Sequence, residues 1–314
     1  MQTEIPAPLD GASVLVTGGA GFVGGHLVRE LDSVCDVTVL DDLSSGDPAV
    51  VPDGVEFIHG DVRDRETVAE AASGTDVIFH QAALVDVPET IRRPLEGHSR
   101  NATGTVTVLE AARQQGTRVV VASSAAVYGH PDSLPVHESA PKTPISPYGI
   151  DKLASDQYAR AYADLYDLPT VSLRYFNVYG PSQSKDGGKG VVDVFFDRAS
   201  RDEPVTIHGD GTQTRDFVHI RDVVRANLLA ASTEQVGRVY NIGTGTAVSI
   251  REVADEIIRI VDSDSEVIHE DPRDGDIQHS RADVQRARIE LNFEPRYGFV
   301  DGLETMATHR TDSN

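Results

Sequence analysis

The stretch Ser13-Val14-Leu15-Val16-Thr17-Gly18-Gly19-Ala20-Gly21-Phe22-Val23-Gly24 decides how this chain is read. The run from Ser13 to Val16 is short and apolar, which reads as a buried strand. Glycines at 18, 21 and 24 follow it at G-x-x-G-x-x-G spacing. Gly18 permits a tight turn, Gly21 lets the backbone approach a pyrophosphate, and Gly24 lets the next helix, Phe22 to Leu31, pack close. The N–H groups and partial positive charge of that helix then face the phosphates. A glycine-rich turn alone is common loop chemistry, so context decides. A second strand, Asp36 to Leu40, ends in Asp41-Asp42, at about the ~20-residue offset where a carboxylate reaches a ribose 2′-OH. That carboxylate repels a 2′-phosphate, so the expected cofactor is NAD rather than NADP.

Outward from this unit the alternation continues. Val55 to His59, Val77 to His80, Val119 to Ala122 and Thr170 to Arg174 read as strands, with helices over Asn101 to Gln115 and Tyr148 to Tyr166. Fully apolar strands alternating with helices predict a parallel sheet covered on both faces. Past residue 175 the pattern loosens. Gly180 to Gly190 reads as a loop, Val191 to Ser200 and Ile250 to Val261 as helices, Arg238 to Ile242 as a returning strand, and the tail from Asp264 as irregular. The expected class is α/β, a Rossmann-type doubly wound parallel sheet with a smaller C-terminal α/β substrate region. The expected division is 1–175 for the cofactor domain, rejoined by about 216–246, with 176–215 and 247–314 for substrate.

Composition narrows the function. The 314 residues carry a net charge of −22, with 4 lysines against 24 arginines. Phosphate repulsion argues against nucleic acid as partner. The acidity is spread along the chain, and its few lysines resemble the surfaces of proteins from salt-loving organisms, where screening makes such a charge tolerable. No apolar run reaches the ~18 residues of a spanning helix, so no membrane partner is expected. The opening MQTEIPAPLDGAS has no basic or apolar leader region, and a cytoplasmic location follows as the default. Cys35 is the single cysteine, so no internal disulfide and no multi-cysteine metal site is expected.

The chemistry sits in Tyr148-Gly149-Ile150-Asp151-Lys152, where a tyrosine and a lysine at i, i+4 share a helix face. Pro147 suits the start of that helix. A phenol of pKa ~10 is a poor base at neutral pH. A neighbouring ammonium and a cationic nicotinamide both favour the phenolate. Ser124, in Ser123-Ser124-Ala125-Ala126-Val127-Tyr128-Gly129, follows the strand Val119 to Ala122 at the sheet edge where ligands bind. Asp61-Val62 and Gln81-Ala82-Ala83 end two further strands at the same edge.

With these segments in place, the chain resembles the extended short-chain dehydrogenase/reductase family of NAD-dependent sugar-nucleotide epimerases and dehydratases. The likeness runs through nearly the whole chain in family order: TGGAGFVG, LDDLSSG, GDVRD, HQAA, NATGT, SSAAVYG, SPYGIDK, LRYFNVYGP, GDGTQTRDFVHIRD and RDGDIQHSRAD. The resemblance implies Tyr148 as acid/base, Lys152 as its tuner and ribose anchor, and Ser124 as the hydroxyl partner. It places Asn101 against the cofactor, and adds Phe22, Val23, Ser44, Ser45, Gly46 and Phe176 to the cofactor set. For substrate it implies Asn177 at the diphosphate, Arg215 and Arg273 as a diphosphate clamp, and His208 against the base, with Val85, Val192 and Asp276. Planar guanidinium forks suit phosphate oxygens.

Dehydratases of the family resemble a pattern with an Asp-Glu pair after the serine, where this chain has Ala125-Ala126. Without that carboxylate, proton abstraction at C5 lacks a base. The implied activity is NAD-dependent 4-epimerisation of a nucleotide-diphosphate hexose such as UDP-glucose or UDP-galactose, through a 4-keto intermediate. Ser280 stands where a bulky tyrosine closes the sugar pocket of glucose-restricted members, so N-acetylated sugars are expected to fit. A uronate epimerase, reductase or decarboxylase of the same fold is the alternative, and a non-catalytic NAD-binding protein a further one. The resemblance also implies a homodimer formed by the helices around Asn101 and Tyr148.

Overall fold

The computed structural model describes residues 6–182, 190–272 and 275–312. In chain order the strands are β1 (Ser13–Thr17), β2 (Asp36–Asp41), β3 (Glu56–His59), β4 (Val77–His80), β5 (Arg118–Ser124), β6 (Thr170–Tyr175) and β7 (Asn177–Tyr179). They continue as β8 (Val205–His208), β9 (Thr214–Arg215), β10 (Phe217–His219), β11 (Arg238–Ile242), β12 (Val248–Ser249) and β13 (Val267–Glu270). The helices are α1 (Phe22–Leu31), α2 (Arg65–Ala71), α3 (Val87–Arg92), α4 (Pro94–His98), α5 (Gly104–Gln115) and α6 (Pro147–Tyr166). After them come α7 (Val191–Ala199), α8 (Ile220–Ser232), α9 (Ile250–Val261), α10 (Gln285–Leu291) and α11 (Phe299–Asp312).

A seven-stranded sheet runs β11-β6-β5-β4-β1-β2-β3, every pair parallel. Alternate residues of β1 leave on opposite faces. Val14 and Val16 enter one core with Leu27, Val28 and Leu228, while Leu15 enters the other with Val68, Val108 and Leu109. Two buried faces explain why the strands read as continuous apolar runs. Strand order reverses between β1 and β4, so the glycine turn after β1 and Gln81-Ala82-Ala83 after β4 open on the same crevice. Two-stranded pairs β7–β10, β9–β12 and β8–β13 lie outside this sheet. A third core, containing Phe195, Phe196, Ile207, Val253, Ile257 and Leu303, binds α7, α9 and α11 together.

Helix ends follow local chemistry. Ser146 caps α6 by accepting from the Gly149 amide at 3.1 Å, with Pro147 in the first helical position. Ser249 and Glu252 close a reciprocal capping box on α9. The structure departs from the sequence reading in two places. The helix expected from Asn101 is preceded by a π turn, Ser99–Thr103, that holds Asn101 itself. The tail past Asp264, expected to be irregular, forms β13, α10 and α11, because tertiary burial supplies what its local pattern lacks: β13 and α11 pack on the third core, and Ala287 and Leu291 of α10 enter the core that holds Val14 and Val16. Part of the loop read over Gly180 to Gly190 lies outside the described residues. Among the described residues, no helix is long and apolar enough to cross a membrane.

His80 ends β4 fully inside. Its Nδ1 is 2.8 Å from the Thr17 hydroxyl and its Nε2 is 3.0 Å from the Thr105 hydroxyl, on α5. Thr105 donates to the Asn101 carbonyl at 2.6 Å, which assigns the His80 proton to Nε2. Burial, with the Lys152 charge adding to it, pushes the ring down from 6.5 to about 3. The unfolded chain therefore binds a proton between those values that the folded chain refuses. Stability is complete above pH 6.5 and falls as pH drops toward 3, by up to ~1.4 kcal/mol per pH unit. We expect the stability gap between the wild type and His80→Gln, measured by urea unfolding, to shrink from pH 7 to pH 5. A gap independent of pH contradicts a neutral His80.

Candidate active site

The crevice at the strand-order reversal is a cleft of about 370 Å³. Its floor is the glycine turn. Gly18 has φ +72°, and its amide donates to the Leu40 carbonyl at 2.8 Å. A Cβ on Gly18 would stand 2.6 Å from the Ala82 nitrogen, and one on Gly24 would stand 2.0 Å from the Gly18 carbonyl oxygen. Both positions therefore need glycine, for closeness of backbone to backbone. Gly21 caps α1 without any side-chain bond, and the first turn of α1 carries no acidic residue. The free amides of a helix start thus open on the cleft, as an anion site requires.

Asp41 lies at the end of β2. Its carboxylate accepts from the Ala20 amide at 3.0 Å and the Leu43 amide at 2.9 Å. Burial raises its pKa, while the Leu43 and Ala20 amides act to lower it. Asp41 therefore ties the glycine turn to β2 as well as facing the cleft. Asp42 pairs with Arg100 at 3.0 Å, and Arg100 also donates to the Ser44 hydroxyl at 2.7 Å. Asp61 is gripped by Arg63, whose hydrogen bonds hold that carboxyl below its usual range.

At the other end of the cleft stand Ser124, Tyr148 and Lys152. Tyr148 is half-buried and lines the cleft together with Ser124, whose hydroxyl acts on its phenol. Burial raises the phenol above its ordinary value, and the Ser124 hydroxyl partly opposes that. Lys152 is buried and donates to the Ala122 carbonyl at 2.8 Å. Burial lowers its ammonium from 10.5 to about 8, against a smaller raising effect of Asp151. In this cleft burial outweighs the help that sequence spacing predicts the ammonium gives the phenol.

The structure brings most of the expected cofactor residues into the lining of this cleft: Gly18, Gly21, Phe22, Val23, Gly24, Asp41, Asp42, Ser44, Ser45, Gly46, Asp61, Val62, Gln81, Ala82, Ala83, Tyr148, Lys152 and Phe176. Asn101 does not line it. It is buried, its Oδ1 accepting from the Leu84 amide at 2.7 Å and its Nδ2 donating to the Leu84 carbonyl at 3.0 Å. It shapes the loop after β4 from behind, which the π turn makes possible. Of the expected substrate set, Val85, Ser124 and Tyr148 line the cleft. Val192 instead packs into the third core. Asn177 begins β7, His208 ends β8 with its Nδ1 3.3 Å from the Asp271 carbonyl, and neither lines the cleft. Arg215 is ion-paired with Asp276 and donates to the Thr214 carbonyl at 2.9 Å. Arg273 lies outside the described residues.

Sequence reasoning missed His26, Arg100, Ser123 and Tyr175, which also line the cleft. His26 stands one turn after Phe22 on α1, a signal that was available, and it contacts the Pro181 carbonyl at 2.9 Å. The Ser123 hydroxyl is buried on the cleft wall without a partner. Asp216 was missed too. It is fully buried, and its carboxylate takes the Thr244, Gly245 and Ala282 amides at 2.7, 2.9 and 3.0 Å, locking β9 and β10 to the loop after β11. An uncapped helix start, a ribose-side carboxylate and an orphan hydroxyl inside one elongated cleft fit a dinucleotide. Among the described residues, no group of three or more metal-ligating side chains comes together.

The fold and this cleft define a nucleotide-binding α/β protein with a tyrosine–lysine–serine site. The chain belongs to the NAD dependent epimerase/dehydratase family, whose model matches residues 14–243. It is 39% identical over 298 residues to the UDP-glucose 4-epimerase of Mycolicibacterium smegmatis, covering 92% of this chain and 95% of that one. The crystal structure of UDP-glucose 4-epimerase from Thermotoga maritima with UDP-glucose superposes with a TM-score of 0.92 at 35% identity, covering 96% of this chain and 99% of that one. The UDP-N-acetylglucosamine 4-epimerase of Methanobrevibacter ruminantium, in complex with UDP-N-acetylmuramic acid, also gives 0.92 at 31% identity, covering 97% and 100%.

The closeness at Gly24 yields a test. Gly24→Ala forces the turn after β1 to open, so the variant is expected to lose bound NAD, with at least ~10-fold weaker retention, because pyrophosphate binding needs the turn closed. Cofactor content after gel filtration, read by absorbance and enzymatic cycling, checks this. Retention equal to wild type refutes it.

Proposed function

We propose that this chain is an NAD-dependent 4-epimerase of UDP-hexoses, interconverting UDP-glucose and UDP-galactose. The observation that carries the reading is the convergence of Ser124, Tyr148 and Lys152 at one end of a cleft whose other end is a glycine turn with a ribose-side carboxylate. Gly18, Gly21, Phe22, Val23, Gly24, Asp41 and Lys152 would hold NAD. When bound, NAD supplies there a two-electron acceptor and a positive ring charge that favours the phenolate. Tyr148 takes the proton of the sugar 4-OH while C4 is oxidised to the ketone, and Ser124 holds the same oxygen. After the sugar turns about its diphosphate linkage, C4 takes the hydride back on its opposite face, and Tyr148 gives the proton back to the 4-oxygen. The nucleotide keeps its grip throughout, so remote binding energy serves the reacting carbon.

The residues after Ser124 support epimerisation over dehydration. Ala125 and Ala126 form the turn there, and neither offers a base for C5. Ser280 lies beside β9, its amide bonded to the Thr214 carbonyl at 3.1 Å, and its small side chain supports acceptance of N-acetylated sugars. We assign nucleotide-sugar binding to 176–215 and 247–314, with Asn177, His208, Arg215, Arg273 and Asp276 as contacts, and NAD binding to 1–175 rejoined by 216–246. Exposed Ile150, Tyr158, Leu165 and Tyr166 on α6 support a homodimer formed through α5 and α6. The charge of −22 supports work in the cytoplasm of a salt-loving cell.

Proton NMR of UDP-glucose and UDP-N-acetylglucosamine, in low and molar salt, tests the activity, and the appearance of C4 epimers without net NADH is the expected result. Tyr148→Phe should lower turnover by at least ~10³-fold, within the range for loss of an essential acid/base, and leave UDP binding intact. A fully active variant refutes the mechanism. Ser280→Tyr should suppress turnover of the N-acetylated substrate while sparing UDP-glucose, and equal loss on both sugars counts against the pocket argument.

A further inference from the structure

Arg174, on β6, is completely buried, and its guanidinium touches three separate segments. Nε donates to Asp156 Oδ2 at 2.8 Å, while Nη1 donates to the Tyr128 hydroxyl at 2.8 Å and to the Glu138 carbonyl at 3.1 Å. Tyr128 passes the chain on, donating to Asn241 Oδ1 on β11 at 2.6 Å. Asn241 in turn is fixed by the Glu138 carboxylate, which accepts its amide at 2.9 Å, and it donates to the Val136 carbonyl at 2.8 Å.

The placement of two of these partners matters. Asp156 lies on α6, one turn past Lys152 and two past Tyr148. Tyr128 ends the 3-10 turn Ala125–Tyr128, which starts from Ser124, and the Ser124 hydroxyl accepts from the Ala126 amide at 3.2 Å. One rigid guanidinium therefore holds both the turn that carries the serine and the helix that carries the tyrosine. These two elements meet closely, since a Cβ on Gly149 would stand 2.7 Å from the Ala126 carbonyl oxygen.

Stability alone does not account for the arrangement. A fully buried ion pair gains little over apolar packing of the same volume, because both charges lose their water. Asp156 Oδ1 is moreover buried with no partner. What a planar fork with fixed donors provides is registry.

We propose that Arg174 is a positioning residue, setting the placement of Ser124 relative to Tyr148 by clamping Tyr128 and Asp156 on a single guanidinium. This rests on the epimerase reading for its kinetic test but not for its spectroscopic one. Tyr128→Phe keeps the packed ring and removes the hydroxyl between Arg174 and Asn241. Asp156→Asn keeps the side-chain shape and removes the charge on the helix side. Each is expected to retain NAD and UDP binding and to lose about 10- to 100-fold in kcat on UDP-glucose with little change in KM, the signature of a misplaced reacting group. Arg174→Lys, with its charge but without the fork, should not restore what the fork provides.

The second readout is the Tyr148 13Cζ resonance, assigned by its loss in Tyr148→Phe. Ser124 acts to lower this phenol, so loosening the placement of the two residues should move its titration midpoint upward in both variants. Unchanged kcat and an unchanged Tyr148 titration in folded Tyr128→Phe and Asp156→Asn overturn the proposal, as does full activity of Arg174→Lys. A wild type that epimerises nothing overturns the functional reading instead, and the resonance still decides the positioning role.

Discussion

The molecule hangs on the approach of two backbones. At the end of β1 the chain turns within van der Waals reach of the loop after β4, and α1 leaves so close to that turn that no side chain fits at Gly18 or Gly24. This closeness points the α1 amides into the crevice where strand order reverses. It also brings Asp41 into reach of the Ala20 amide. A carboxylate at the end of one strand thus fixes the turn at the end of its neighbour.

Local features were therefore legible. The glycine spacing, the apolar strands, the Pro147 helix start and the Tyr148–Lys152 register are all short-range signals, and each is found where its chemistry places it. The rest depended on contacts that sequence does not display. Arg174 finds its partners 18, 36 and 46 residues away, on α6, in a loop and in the turn after β5. Asp216 collects amides 28 to 66 residues distant. Asn101 reads as a ligand by its motif, yet the π turn directs its amide to Leu84. In Val192 an apolar residue near the substrate region simply joins the nearest core. The ordered tail escaped notice because α10 and α11 gain their stability from tertiary burial rather than from their own pattern.

Charge is arranged in two regimes. Much of the acidic excess faces water, in exposed pairs such as Arg92–Glu89 and Arg251–Asp255, which salt screens and which individually contribute little. Inside, carboxylates are held by amides or by arginine: Asp41, Asp216 and Asp222 by backbone N–H groups, Asp156 by Arg174. Burial raises the first three, and the hydrogen bonds to N–H groups return part of that cost. At Arg174 buried positive charge is carried by a guanidinium whose fork meets several acceptors at once. Lys152 stands apart, with a single carbonyl on its ammonium.

Burial also sets the charge balance of the Tyr148–Lys152 pair. Burial works against charge on both members of the pair, pushing the Tyr148 phenol up and the Lys152 ammonium down to about 8. Lys152 keeps most of its charge at neutral pH, but burial holds the phenol above its ordinary value, so proximity alone leaves Tyr148 neutral. Positive charge arriving in the cleft shifts the phenol toward its anion, and hydroxyls added to the Lys152 donors help keep that lysine charged. Both changes come with a ligand that spans from the glycine turn to Ser124. The distance between those two ends is set by the sheet, and the angle of approach by the clamp beneath α6. The Tyr148 phenol and the Lys152 ammonium thus both lean toward their uncharged forms more than they would in water, and a positive charge arriving in the cleft is what would shift the phenol back.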